Sequence, residues 1–364
     1  MIYIAYLILT FLLLQLFVTV ANAVFAEKLR LQKMDVSNVK LSVLIPARNE
    51  EKNIGNILSD LSKIKENITE ILVYNDFSLD ETENIIKRCI KYDNRVKVIA
   101  PKDLPENWLG KNFACHQLSL NAKGDYFLFI DADISVKNNS ILSAIQYVKK
   151  NNIDLLSIFP VQKMMTFAEK ITVPNMHYIL LSLLFLPFVK LITFFPSLSA
   201  SNGQFMLIKS DVYKEQKPHS TFKNSRAEDI EIARHFKRKR KKVSCVTGIS
   251  DVSCRMYHSL SEAIDGFSKN VNYFFGNSYI LSVIFLVITT FGFIPLYLVF
   301  GWLGILMFFV LQILIRIFVS VHSKQNIVSN TTLFVFQQIM LGVFIFKSIQ
   351  YKITNNLEWK GRKI

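Results

Sequence analysis

Tyr126-Phe127-Leu128-Phe129-Ile130, closed by Asp131-Ala132-Asp133, decides the fold. Five large apolar residues in succession predict a buried strand with two acids at its carboxyl end. The same pattern recurs upstream. Lys40 to Ile45 predicts a first strand ended by Pro46, and Asn49 is placed to cap a helix whose Ile54, Ile57, Leu58 and Leu61 share one face. A second strand, Ile68 to Tyr74, runs into Asn75-Asp76-Phe77-Ser78-Leu79-Asp80 and a helix over Glu81 to Lys91; Val96 to Ile99 is a third strand and Lys111 to Asn121 a further helix. Short apolar runs alternating with amphipathic ones predict the α/β class, a mostly parallel sheet flanked by helices. Ligands of open α/β sheets bind at the carboxyl ends of strands. Every polar cluster here follows a strand, so the clusters converge on one crevice.

The chemistry of each cluster is limited by its residue types. Asp131 and Asp133 can hold a hard divalent cation, Mg²⁺ or Mn²⁺, which bridges the two phosphates of a nucleoside diphosphate. For an isolated pair, a helix-capping role for Asp133 is the commoner outcome. Asp76 can accept a hydrogen bond from a nucleobase N–H, whereas Ser78 and Asp80 occupy turn and cap positions. Pro46 turns the chain toward Glu50, which either meets a ribose or compensates a first helical turn. Gly110-Lys111 at a helix start suits phosphate. Glu228 and Asp229 open another predicted helix, where one of them can act as a general base or simply offset the helix dipole. Arg255 and Lys269 are cations able to reach diphosphate oxygens, although such residues are usually surface charges.

The 364 residues carry a net charge of +15, which favours anionic partners. The apolar ends make lipid the better partner, and no nucleic acid is expected. Residues 1–26 read as a transmembrane anchor and 27–39 as a linker. Residues 40–160 read as a nucleotide-binding half and 161–277 as an acceptor half with a membrane-proximal segment. Residues 278–350 read as transmembrane or re-entrant helices, and 351–364 as a basic tail. Ala21-Asn22-Ala23 resembles a signal cleavage site, but no cation precedes the long apolar stretch and Lys28, Arg30 and Lys33 follow it. The positive-inside bias then places the N-terminus outside and the domain on the cytoplasmic face of a multi-pass cell-membrane protein. Tyr279 to Ser320 is long enough for a helical hairpin broken near Phe300-Gly301-Trp302-Leu303-Gly304. Leu333 to Phe346 is short and reads as re-entrant or interfacial, keeping the tail in the cytosol. Tyr178 to Pro196 reads as membrane-surface contact or acceptor groove. The run Arg234 to Lys242 fits headgroup attraction or a solvated helix end. Cys89, Cys115, Cys245 and Cys254 show no metal spacing and read as reduced core residues.

Taken in order, Pro46-Ala47-Arg48-Asn49-Glu50, Asn75-Asp76, Trp108-Leu109-Gly110-Lys111, Asp131-Ala132-Asp133 and Glu228-Asp229 resemble the family 2 glycosyltransferases of GT-A fold. The elements Gly203-Gln204-Phe205, Arg255-Met256-Tyr257, Gly266-Phe267-Ser268-Lys269-Asn270 and Glu358-Trp359-Lys360-Gly361-Arg362 are similar to the branch that modifies lipids, including carotenoid acids, hopanoids and ceramides. The resemblance implies a UDP-sugar donor with Asp76 at uracil, Asp131 and Asp133 at the sugar-diphosphate and metal, and Lys111 and Lys269 at phosphate. It implies Asp229 as base, Gln204 at sugar or acceptor, and Trp359 and Arg362 folded back on the domain. The expected reaction is inverting transfer of a hexose, glucose first, to a membrane lipid, foremost the carboxylate of a carotenoid acid. A lipid alcohol is the alternative acceptor, other enzymes of the same lipid pathway are expected partners, and a non-catalytic scaffold is the least favoured reading. Phe77 stands where the family usually has Gly, His219 where relatives tend to have glycines, and the Gln-x-x-Arg-Trp motif of polymerising relatives is absent.

Overall fold

A computed structural model of the chain describes residues 1–354, 358–359 and 362–363. In chain order the first half comprises α1 (Ile2–Val24), β1 (Leu41–Ala47), α2 (Ile54–Lys63), β2 (Ile68–Asn75), α3 (Thr82–Ile90), β3 (Val96–Ile99), α4 (Gly110–Asn121), β4 (Tyr126–Ile130), β5 (Ile134–Val136), α5 (Asn138–Asn151) and β6 (Leu155–Gln162). The second comprises α6 (Phe167–Thr172), α7 (Pro174–Leu183), α8 (Pro187–Leu191), β7 (Phe205–Lys209), α9 (Ser210–Gln216), α10 (Pro218–Thr221), α11 (Glu228–Arg238), β8 (Val243–Cys254) and α12 (Leu260–Asn270). A 3₁₀ turn, Val271–Phe275, leads to α13 (Tyr279–Phe291), α14 (Phe293–Phe300), α15 (Trp302–Ser323), α16 (Ile327–Thr332) and α17 (Phe334–Thr354), then the short strands β9 (Glu358–Trp359) and β10 (Arg362–Lys363).

Eight strands form one mixed sheet in the order β3-β2-β1-β4-β7-β6-β8-β5. β1 pairs in parallel with β2 on one side and β4 on the other, so the chain reverses its direction of travel across the sheet at β1. That reversal opens a crevice at the carboxyl ends of these strands. β7 runs antiparallel to both β4 and β6, which makes the second half of the sheet mixed.

Two local expectations are corrected. Pro46 does not end β1: it pairs with Tyr74, while pairing to β4 stops at Leu44↔Phe129, so the missing proline N–H falls where only one neighbour remains. Asn49 caps no helix. It lies at φ +52°, its N–H donates to Ser78 Oγ (2.9 Å) and its Oδ1 accepts from Leu79 N–H (2.9 Å), stitching the first loop to the second. Ser78 and Asp80 serve that same stitch, Asp80 accepting from Glu51 N–H at 3.1 Å.

The apolar core lies on both faces of the sheet, and on one face it continues without interruption into the terminal helices, joining Phe127 and Phe129 to Phe285, Ile315, Leu341 and Phe344. α1, α15 and α17 are long and apolar enough to cross a membrane. α17 extends beyond the run Leu333 to Phe346 to reach Thr354, which makes it longer than a re-entrant segment needs. Gly301, at φ +61°, turns α14 into α15. α7 is buried, with Gln15 Nε2 donating to Ser182 Oγ (3.0 Å) and Tyr178 OH to Gln312 Oε1 (3.2 Å). The four cysteines are free thiols. Trp359 and Arg362 pair across β9 and β10, while the contacts expected of their side chains lie outside the described residues.

Candidate active site

Where β4 ends, Asp131 receives the Lys111 ammonium on Oδ2 at 2.8 Å, and its own N–H donates to Gln204 O. Lys111 comes from the first turn of α4, which opens at Gly110, and it also lies 3.8 Å from Glu228 Oε1. Burial alone would lower the Lys111 pKa, but the carboxylates of Asp131 and Glu228 hold it above its usual range. Asp133 is followed by β5 rather than a helix, so it caps nothing. Its Oδ2 accepts from Gln204 Nε2 (3.2 Å) and from the Cys254 thiol (3.2 Å). Burial, and then the charge of Asp131, push the Asp133 carboxyl up to about 7.

Glu228 and Asp229 form the first turn of α11. Asp229 accepts the N–H of Gly203 on Oδ2 and of Ile230 on Oδ1, both at 2.8 Å. A Cβ on Gly203 would stand 3.3 Å from both Glu228 Oε1 and Lys111 Nζ, so a larger residue there would push these two charged ends aside by a few tenths of an ångström. Burial raises both carboxyls, that of Glu228 to about 7. At the far side, Arg48 lies 3.6 Å from Asp76 and donates to the Asp76 carbonyl at 2.7 Å, which fixes the loop after β2. Glu50 accepts from Asn53 Nδ2 at 2.9 Å.

All these residues except Cys254 line one cavity of ≈ 950 Å³ that also includes Pro46, Arg255 and Lys269. Arg255 is held by Glu169, a buried acid on α6, at 2.8 Å. The cavity has a polar half around the acids and an apolar half built by Met176, Ile179, Phe267, Phe274 and Phe344. Every sequence-predicted site residue thus reaches the same space. Sequence reading gave no site role to Arg48, which it quoted only within the Pro46–Glu50 motif, to Glu169, or to Cys254, which it read as a reduced core residue. Cys254 meets Asp133 only because the antiparallel register of β5 and β8 sets Ile134 opposite Cys254. The donor set fits a hard cation: two carboxylates one residue apart, Asp131 paired with the Lys111 ammonium at 2.8 Å and Asp133 held by the Gln204 amide and the Cys254 thiol. Among the described residues no third acid, histidine or cysteine completes a metal cluster, so further ligands would come from water or from the oxygens of a bound ligand.

Residues 42–215 match the sequence model of Glycosyl transferase family 2. Just under half of the chain thus has the sequence pattern of that family. The chain is 29% identical over 248 residues to a 4,4'-diaponeurosporenoate glycosyltransferase of Staphylococcus haemolyticus (strain JCSC1435), covering 64% of this chain and 60% of the relative. A protein of the same name from Staphylococcus aureus (strain bovine RF122 / ET3-1) is 30% identical over 146 residues, covering 39% of this chain and 37% of the relative. The chain therefore spans less than two thirds of these relatives' length. In structure it resembles the mannosyltransferase PcManGT from Pyrobaculum calidifontis, solved in complex with GDP-Man and Mn²⁺, with a TM-score of 0.60 at 11% identity over 96% of this chain and 99% of the other. The glycosyltransferase domain has the GT-A fold, a mixed sheet flanked by helices, with apolar helices at both ends able to span a membrane.

Proposed function

We propose that the protein is a membrane-bound inverting glycosyltransferase that moves a hexose, glucose first, from a UDP-sugar to a lipid acceptor, foremost the carboxylate of a carotenoid acid. The observation that carries this reading is the single cavity in which a cation-and-carboxylate half meets an apolar half built partly by α17. Asp76 would receive the uracil edge, with Pro46 and Glu50 shaping the ribose side. Lys111, Arg255 and Lys269 would neutralise diphosphate oxygens. Gln204 holds the Asp133 carboxylate and would stand beside the sugar. Asp131 and Asp133 would hold Mg²⁺ or Mn²⁺, which when bound supplies charge stabilisation to the departing diphosphate. The acceptor oxygen attacks the anomeric carbon from the face opposite the diphosphate, a geometry that one rigid cavity can impose. The names of the staphylococcal relatives support the carotenoid acceptor. Lys28, Arg30 and Lys33, just past α1, favour a catalytic domain on the cytoplasmic face.

A lipid alcohol is the second reading, favoured by the raised carboxyls of Glu228 and Asp229, which suit a general base. Membranes containing the protein, given labelled UDP-glucose with a carotenoid acid or with total lipid extract, test both. A labelled glycosyl ester supports the first reading, a labelled glycolipid the second, and no labelled lipid with any acceptor defeats both. Asp229→Asn separates them further. A carboxylate nucleophile is already ionised at neutral pH, so ester formation should survive the substitution while transfer to an alcohol is lost.

A further inference from the structure

Between the end of α1 and the loop after α8 the surface carries an unusual density of exposed aromatic rings. Phe25, the first residue beyond α1, packs edge-on against Phe185 at 6.2 Å, and Phe185 against Phe188 at 4.9 Å. Leu191, Phe194 and Phe195 follow, exposed at 67, 62 and 52%. An ion pair between Lys190 and Glu27 ties α8 to the segment leaving α1. An apolar patch of this kind is costly in water. It is continuous with the end of a helix that is long and apolar enough to cross a bilayer, and a spanning α1 would set the patch at the level of the headgroups.

The loop behind the rings is held from inside. Lys237, on the last turns of α11, is fully buried, and its ammonium donates to the carbonyls of Ile192 (2.8 Å) and Leu198. Both bonds end on the backbone that carries Phe194 and Phe195, and Arg238, Lys239 and Arg240 lie exposed immediately beyond. Aromatic and aliphatic side chains flanked by cations are the composition of segments that lie in the membrane interface.

We infer that Phe25, Phe188, Leu191, Phe194 and Phe195 form a wedge that inserts into the boundary between lipid headgroups and acyl chains, and that Lys237 clips this wedge to α11. The inference rests on α1 crossing the bilayer, and it adds a consequence for the proposed reaction. The helix clipped at its C-terminal end bears Glu228 and Asp229 at its N-terminal end, so the depth of the wedge and the position of the two acids are set by one rigid element.

The test uses the full chain in nanodiscs of phosphatidylcholine and phosphatidylglycerol. Phe194→Trp adds one indole to the three native tryptophans, and wild-type emission is subtracted. Quenching of the added emission by lipids brominated near the headgroup, with protection from aqueous iodide, is the expected result; iodide quenching without bromolipid quenching overturns the wedge. Adding Lys237→Met should reduce the bromolipid quenching and slow transfer to a bilayer-embedded acceptor without weakening UDP-sugar binding. Quenching unchanged by Lys237→Met overturns the clip. If that variant fails to fold, Phe194→Ser with Phe195→Ser, which removes only exposed rings, must still slow transfer to the embedded acceptor and leave UDP-sugar binding intact. Quenching needs no turnover, so this result stands or falls separately from the proposed reaction.

Discussion

Glu228 is buried 3.8 Å from Lys111 and beside Asp229, and it keeps its proton up to about pH 7 in the folded chain against about 4.5 when free. Between those values the folded state binds more protons than the unfolded one, so this group's contribution to stability is complete below the lower value and is lost as pH rises through 7. Asp133 acts in the same direction. The melting temperature of the donor-free protein in detergent should therefore rise as the pH is lowered from about 8 to about 5, and Glu228→Gln should flatten that slope. A wild-type melting temperature that falls over the same window would show these carboxyls to be ionised in the folded chain. At this scale the sequence was a good guide to the acids and a poor one to their partners. Asp131, Asp133, Glu228 and Asp229 sit at strand or helix ends that local pattern marks. Cys254 and Arg48 become site residues only through strand register and loop packing, which no local window contains.

Gly124, in the turn between α4 and β4, faces the opposite end of the sheet from the cavity. Its N–H donates to Ser42 Oγ at 2.8 Å, and Ser42 Oγ in turn donates to the buried Glu70 at 2.7 Å. A Cβ there would come within 2.6 Å of Ser42 N and 2.8 Å of Lys40 O, both backbone atoms. Gly124→Ala should cost about 1–3 kcal/mol by overpacking, visible as a lower melting temperature with the affinity for UDP-sugar unchanged. A loss of affinity without a loss of stability would contradict that separation. β1 to β4 and their helices were legible because each is a local run with its own period. β5 to β8 were not, because β7 inserts antiparallel between β4 and β6, and β8 mixes polar and apolar residues along Val243–Cys254 as it pairs with two neighbours. Asn49 was misread for the same reason: its φ of +52° and its bonds to Ser78 and Leu79 belong to a contact between two loops.

Across the molecule, the sheet and the apolar helices are one packed body rather than a domain on a stalk. Asn22, fully buried near the end of α1, donates to the carbonyls of Leu181 (2.9 Å) and Leu184 (2.8 Å) and accepts from Leu186 N–H (2.9 Å). Asn22→Leu would strand three buried backbone groups, at about 1–3 kcal/mol for each group left unsatisfied. Thermal melts in nanodiscs should show clear destabilisation, with the cysteines of the core becoming reactive to alkylation at lower temperature; an unchanged melt would mean that α1 is not docked on α7. That the ends of the chain are apolar was plain from composition. That they share a core with Phe127 and Phe129 was not, since composition separates the segments that packing joins.

α17 has two faces with different neighbours. Phe344 points into the cavity, whereas Ile339 and Phe346 on the same helix are exposed. With α17 embedded in the bilayer, one wall of the cavity would also be a wall against the lipid, and an acceptor dissolved there would never need to enter bulk water. The quantity that governs saturation is then the mole fraction of acceptor in the membrane plane. Diluting a fixed amount of acceptor with inert phospholipid should slow turnover even though every molarity in the tube is unchanged, while the same dilution leaves the dependence on UDP-sugar untouched.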